Sequence, residues 1–94
     1  MRDELMKIIN HYGIDKTLRK LHEEHFELDD AIIRYNNCGG TKQHILEEFV
    51  DVFVIMSELV VYYDLNDEDV TKMAIYKINR QLGRMEQESK ESEK

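Results

Sequence analysis

Glu23-Glu24-His25-Phe26-Glu27 and Glu47-Glu48-Phe49-Val50-Asp51 are the two stretches on which the reading of this chain turns. In the first, Glu24 and Glu27 stand three residues apart; in the second, Glu48 and Asp51 do the same. Residues at i and i+3 share one face of a helix. Two such helices packed antiparallel converge four carboxylates on one small volume. The pairs 24/51 and 27/48 have the same sum of residue numbers, as level positions of an antiparallel pair must. That sum puts the turning point between Asn37 and Cys38, inside Asn36-Asn37-Cys38-Gly39-Gly40. Asn and Gly tolerate the left-handed conformations that turns need. A single Glu-x-x-Glu is ordinary decoration of a solvated helix face. Two of them, matched in register across a legible turn, point to a bound divalent cation, which relieves the repulsion among four acids. Hard oxygen donors suit Mg²⁺ or Mn²⁺.

Outward from the turn, the pattern is helical in both directions. Asp15 stands to cap the helix before the turn, which runs to about Tyr35. Its apolar stripe reads Leu18, Leu21, His25, Leu28 and Ile32, with Glu24 and Glu27 beside the stripe at the edge of the core, where helix bundles build metal sites. Thr41 stands to cap the helix after the turn, running to about Tyr63. One stripe there is Ile45, Phe49, Val52, Met56, Leu59 and Tyr63, and Val50, Phe53, Val54, Ile55, Val60 and Val61 fill most of the other faces. A helix apolar nearly all round must be buried nearly all round. A chain of 94 residues buries only about 60–65% of its unfolded surface, so a second subunit is expected to complete the burial.

At the N-terminal side, Leu5, Ile8, Ile9 and Tyr12 place a short amphipathic helix from Arg2 to Tyr12, ended by a left-handed cap at Gly13. At the C-terminal side, Asp64-Leu65-Asn66-Asp67-Glu68-Asp69 invites comparison with a calcium loop. Residue 69 is not the required glycine, however, and Ile75 stands where the closing glutamate belongs. Asn66 reads instead as the cap of a fourth helix, from about Asp67 into the 80s, with Val70, Met73, Ala74, Ile78 and Leu82 facing inward. Lys77, Arg80 and Arg84 form a basic stripe. Gly83 weakens the helix, and the polar residues 86–94 are expected to fray. The fold expected is all-α, four helices per chain, with a four-helix-bundle core completed by oligomerisation: one domain over residues 1–85 and a polar tail over 86–94.

Composition narrows the function classes. A net charge of −7 argues against a nucleic-acid polymer as partner, because nothing offsets phosphate repulsion over a broad surface. A small phosphate ligand held through metal is still allowed. The single cysteine, Cys38, makes no internal disulfide, and it lies in a turn without a neighbouring base. No basic-then-apolar leader precedes the first charged residues, so a cytoplasmic setting is expected. The longest apolar stretch, Phe49 to Tyr63, is broken by Asp51, Ser57 and Glu58 and falls short of the ~20 residues a membrane helix needs. His22 and His25 form His-Glu-Glu-His, with histidines three apart rather than the four of zinc proteases. His25, on the stripe, reads as a core histidine and His22 as a surface one. Lys77 and Arg80 balance an acidic surface; opposite the acid cluster they would instead neutralise the outer oxygens of a polyphosphate.

Taken together, Leu21-His22-Glu23-Glu24-His25-Phe26-Glu27-Leu28, Glu47-Glu48-Phe49-Val50-Asp51-Val52 and the later Lys77, Asn79 and Arg80 resemble the MazG-like all-α nucleoside triphosphate pyrophosphohydrolases, over roughly residues 12–84. That superfamily includes dimeric dUTPases and phosphoribosyl-ATP pyrophosphatases. The resemblance implies hydrolysis of a (d)NTP between the α and β phosphates to a monophosphate and pyrophosphate, a housecleaning task in the nucleotide pool. It also implies Mg²⁺ held by Glu24, Glu27, Glu48 and Asp51, and a homodimer or homotetramer. Lys77 and Arg80 would hold the substrate phosphates, and Glu23 is the candidate to take a proton from water. The lysine, asparagine and arginine are spaced differently from many members. Narrower substrates, dUTP or phosphoribosyl-ATP, and a helical interaction module without chemistry are the alternatives.

Overall fold

A computed structural model describes residues 1–93. Among them are four α-helices and no strand: α1 (Arg2–Tyr12), α2 (Ile14–Asn37), α3 (Lys42–Tyr62) and α4 (Asp67–Ser92). The all-α expectation therefore holds, helix for helix. The chain divides into two compact units, one from Met1 to Asp64 carrying α1–α3, the other beginning at Leu65 and carrying α4.

The first unit is organised by the antiparallel pairing of α2 with α3, and α1 packs against both, more extensively on α3. Its deepest residues are Ile9 of α1 and Ala31 of α2, each 1% exposed, with Ile55 and Val61 of α3 close behind. The Arg2 guanidinium donates to Asp64 Oδ1 at 3.0 Å, tying the two ends of this unit together. Thr41 caps α3 as expected: its Oγ1 accepts from the His44 amide at 3.1 Å. The α2–α3 turn depends on two glycines. Gly39 has φ +94°, and a Cβ on Gly40 would lie 2.7 Å from the Tyr35 backbone nitrogen, so no larger residue fits without moving the end of α2. The helix runs two residues further than expected, through Asn37, whose Nδ2 donates to the Ile33 carbonyl at 2.9 Å.

At the junction of α1 and α2 the structure corrects the expected cap. Asp15 does not cap α2; the helix starts at Ile14, and Gly13 is at once the last residue of α1's exit and the first of α2's entry. Gly13 has φ 87° and ψ 157°, a positive-φ conformation different from the left-handed helical cap expected. No side chain caps α2; the Thr17 Oγ1 donates to the Gly13 carbonyl at 2.8 Å, one turn back. Asp15, in the first turn, still complements the positive helix end.

The inward lines also differ from the expected stripes. One line on α2 runs through Thr17, Leu21, Glu24, Leu28 and Ala31 in steps of three and four, the spacing of a helix–helix seam, with Ile14 and Asp30 half-buried beside it. On α3 the same spacing joins Ile45, Glu48, Val52 and Ile55, and from Ser57 to Val61 every position is buried or half-buried. Leu18 and Ile32 lie at the exposed margin. His25 is exposed rather than in the core, with Nδ1 3.7 Å from Asp29 Oδ2. Hydropathy assigned the seam position to His25; the fold gives it to Glu24. Phe49, Met56 and Tyr63, expected on the α3 stripe, are exposed as well.

In the second unit, Asn66 caps α4 as expected, its Oδ1 accepting from the amides of Glu68 at 2.8 Å and Asp69 at 3.3 Å. None of the residues of α4 is buried, including Val70, Met73, Ala74, Ile78 and Leu82 that were expected to face inward. The helix continues past 86 to Ser92, and residue 94 of the expected tail lies outside the described residues. Glu86, Gln87, Glu88 and Lys90 are strong helix formers, and Lys90 pairs with Glu86 one turn back at 3.6 Å. None of the helices is long and apolar enough to cross a membrane.

Candidate metal centre

The α2–α3 seam is apolar at both ends and acidic in the middle. Leu21 and Leu28 bracket Glu24 on α2; Ile45 and Val52 bracket Glu48 on α3. The packing that buries the leucines therefore also carries two carboxylates inward. Glu27 reaches the same place from the exposed side of α2. Glu24, Glu27 and Glu48 each offer one oxygen, and these oxygens lie within 4.8 Å of one another. Asp51 is exposed and stands outside that group of three, near enough for its charge to act on both Glu24 and Glu48.

The electrostatics of the cluster are unfavourable as it stands. The Glu24 carboxyl is held above its ordinary range, first by burial, then by the charges of Glu27 and Asp51. Glu48 is also pushed up, by burial and then by Glu27, while His44 one turn earlier pulls it back down. Glu24 Oε2 and Glu48 Oε2 are buried with no hydrogen-bond partner. A buried polar atom without a partner costs about 1–3 kcal/mol, more when charged. Two such oxygens, from separate helices and aimed into one cluster of carboxylates, fit a small hard cation. All the donors are oxygen, which suits Mg²⁺ or Mn²⁺ and disfavours metals that seek sulfur or imidazole.

The other expected site residues fall elsewhere. Glu23 precedes Glu24 on α2 and is exposed. Lys77 and Arg80 lie on α4, in the second unit, and neither makes an ion pair among the described residues. Arg80 sets its guanidinium over the Tyr76 ring, 5.8 Å from the centroid. One residue escaped the sequence reading. Glu58 entered it only as an interruption of an apolar run, yet it is 6% exposed and lies on the inner side of α3. A lone acid amid Ile55, Met56, Leu59 and Val60 was the available signal.

Comparison with known proteins gives one partial match. A phosphoribosyl-ATP pyrophosphatase of Geobacter metallireducens is 38% identical to this chain over 58 residues, which is 62% of this chain and 49% of that protein. The chain thus spans about half the length of the relative it matches. No family model matches the chain. No solved structure matches it either.

Proposed function

We propose that this chain is a metal-dependent nucleoside triphosphate pyrophosphohydrolase of the MazG-like type, acting on the α–β phosphoanhydride bond of a (d)NTP. The observation that carries the reading is the convergence of Glu24, Glu27 and Glu48, with two buried oxygens left without partners. The similarity to a phosphoribosyl-ATP pyrophosphatase supports the same reaction class. It also favours phosphoribosyl-ATP as a second substrate to test, ahead of dUTP.

Glu24, Glu27, Glu48 and Asp51 would hold Mg²⁺, with Mn²⁺ as a substitute. When bound, the metal offsets the charge of phosphate oxygens and acidifies a coordinated water. The protein's own part begins with the seam. It fixes Glu24 and Glu48 on two packed helices, so the donors are placed before substrate arrives. Such preorganisation carries most of the rate in phosphoryl transfer. Glu23 lies about 100° around α2 from Glu24. From there it would accept the proton of the attacking water while leaving Glu24 free. Lys77 and Arg80 would neutralise the outer oxygens of the departing pyrophosphate by charge-assisted hydrogen bonds; this assignment rests on their charge and on the family resemblance.

The working form is proposed to be a homodimer or homotetramer. Phe26 is 72% exposed, Phe53 61% and Phe49 55% in the single chain. Apolar surface of this extent on a soluble protein marks an interaction face.

The test is pyrophosphate release from the common ribo- and deoxyribonucleotides and from phosphoribosyl-ATP, each with Mg²⁺ and with EDTA. Metal-dependent release, abolished by Glu24→Gln with the helical fold intact, is the expected result. No release from any of them by a folded protein would overturn the reading in favour of a helical interaction module.

A further inference from the structure

The second unit carries an apolar line that stays exposed in the single chain. Ile75, Ile78, Leu82 and Met85 of α4 follow one another at intervals of three, four and three residues. That is the a and d spacing of a two-helix coiled coil. Each of the four is between 51% and 58% exposed. The line is about 15 Å long, and Thr71 and Ser89 continue its spacing by one polar step at either end. A helix in water owes most of its stability to the packing of such a face. α4 is 26 residues long with none of them buried, so that contribution is still to be gained.

The charges beside the line name its partner. Two copies of α4 running antiparallel can set Ile75 level with the partner's Met85 and Ile78 level with the partner's Leu82. Both pairs share one sum of residue numbers, and the twofold axis then passes at the level of Arg80. Lys72 and Glu86 are two heptads apart, so both flank the line on the same side. In this register Lys72 meets the partner's Glu86, and the symmetry of the pair makes the contact twice. Both side chains are available. Lys72 makes no ion pair among the described residues, and Glu86 is engaged only by Lys90 at 3.6 Å, with both side chains well exposed. A parallel pair would instead set Asp67, Glu68 and Asp69 beside their own copies, acid against acid. Lys77, Arg80 and Arg84 lie about 150° round the helix from the line, so pairing leaves them free for the role proposed above.

We propose that α4 pairs antiparallel with α4 of a second copy through Ile75, Ile78, Leu82 and Met85, with Lys72 and Glu86 setting the orientation. The pairing rests on the oligomeric reading above, to which it adds a face distinct from that of Phe26, Phe49 and Phe53. It holds whatever the reaction.

The test is disulfide trapping in the whole chain, with Cys38→Ser as background. In an antiparallel pair only residues near the axis meet their own copies; in a parallel pair every residue does. Gln81→Cys is therefore expected to crosslink to itself under mild oxidation, and Ser89→Cys is not. A mixture of Thr71→Cys and Ser89→Cys chains is expected to give the crossed product, since 71 and 89 share the same sum. At a concentration where pairing is partial, Lys72→Glu should slow the crosslink at position 81 about 10-fold, two attractions having become two repulsions. Adding Glu86→Lys should restore most of the rate, which a loss of fold could not do. No crosslink at position 81 in a helical protein, self-crosslinking of Ser89→Cys at the same rate, or indifference to Lys72→Glu would overturn the pairing. If Leu82→Asp dissociates an oligomer that shows no such crosslink, another face of the partner covers α4. The two readings fail separately. An oligomer without the crosslink at position 81 keeps the assembly and sinks this face; the crosslink in a chain whose Phe53→Asp variant sediments unchanged does the reverse for the phenylalanine face.

Discussion

Removing one charge from the acid cluster should make the metal-free protein more stable, and the effect should reverse when Mg²⁺ is present. The perturbation is Glu24→Gln, which keeps the shape of the side chain in the α2–α3 seam. The oxygens of Glu24 and Glu27 lie within 4.8 Å of each other. Two unit charges at that separation repel by about 1 kcal/mol in water and about 3.5 kcal/mol at an effective dielectric of 20. Glu24 is half-buried, so about 1–2 kcal/mol of relief is expected. For a domain of this size that raises Tm by about 5–15 °C.

The pH dependence follows from the direction of the shifts. Glu24 and Glu48 are both held above the ordinary value of 4.5 in the folded state, so the folded state keeps their protons more tightly than the unfolded chain does. Their contribution to stability is whole below 4.5 and is lost as pH rises through the raised folded values. The advantage of Glu24→Gln should accordingly be full at pH 8 and vanish towards pH 4. With Mg²⁺ at 100 times its dissociation constant, the wild type gains about 2.7 kcal/mol, and the variant gains little. Thermal melting followed by circular dichroism, at one protein concentration, in EDTA and in Mg²⁺, reads all four conditions. A variant no more stable than wild type in EDTA at pH 8, or one that gains as much from Mg²⁺, would refute the reasoning.

Three other outcomes are expected. Gly40→Ala drives a Cβ to 2.7 Å from the Tyr35 backbone and should cost about 1–3 kcal/mol, visible as a lower urea midpoint; an unchanged midpoint would show that the turn yields freely. Thr41→Ala removes the side-chain cap of α3 and should cost about 1 kcal/mol in the same titration, with Thr41→Ser restoring most of it. Phe53→Asp places a charge on the exposed face of α3 and should shift the sedimentation coefficient from oligomer towards monomer; a wild type already monomeric at high micromolar concentration would remove the proposed assembly.

What could be read from the chain beforehand depended on how local its cause is. Thr41 and Asn66 were identified as caps because capping is decided by one side chain and the two or three amides after it. The convergence of Glu24, Glu27 and Glu48 was legible because helical spacing and a glycine turn are both written in consecutive residues. The inward face of α2 was misplaced by one position because hydropathy ranks His25 above Glu24 for burial, and only the partner helix determines which of the two meets it. Asp15 lost the capping position to Gly13 for a related reason: α1 ends one residue before α2 begins, which leaves no extended residue for an aspartate to occupy. The burial of Glu58 was not legible, since the residues that line a pocket with it come from α1 and α2, some thirty-five to fifty residues earlier.

The single-residue joint at Gly13 has a consequence for how this protein can change. α1 meets α2 through one pair of backbone angles, φ 87° and ψ 157°, and those angles set how far the Ile8–Tyr12 wall stands from Lys16 and Lys20. A side chain at residue 13 would meet no atom within 4 Å, so crowding does not enforce glycine there; handedness does. A D-alanine introduced by chemical synthesis suits the joint and should stiffen it, whereas L-alanine should swing the wall. The width of the pocket lined by Ile8, Tyr12, Lys16, Lys20, Glu23 and Glu58 is therefore adjustable at a one-residue hinge outside the Glu24, Glu27 and Glu48 cluster. Lineages and engineers alike have there a dial that moves α1 without replacing a member of that cluster.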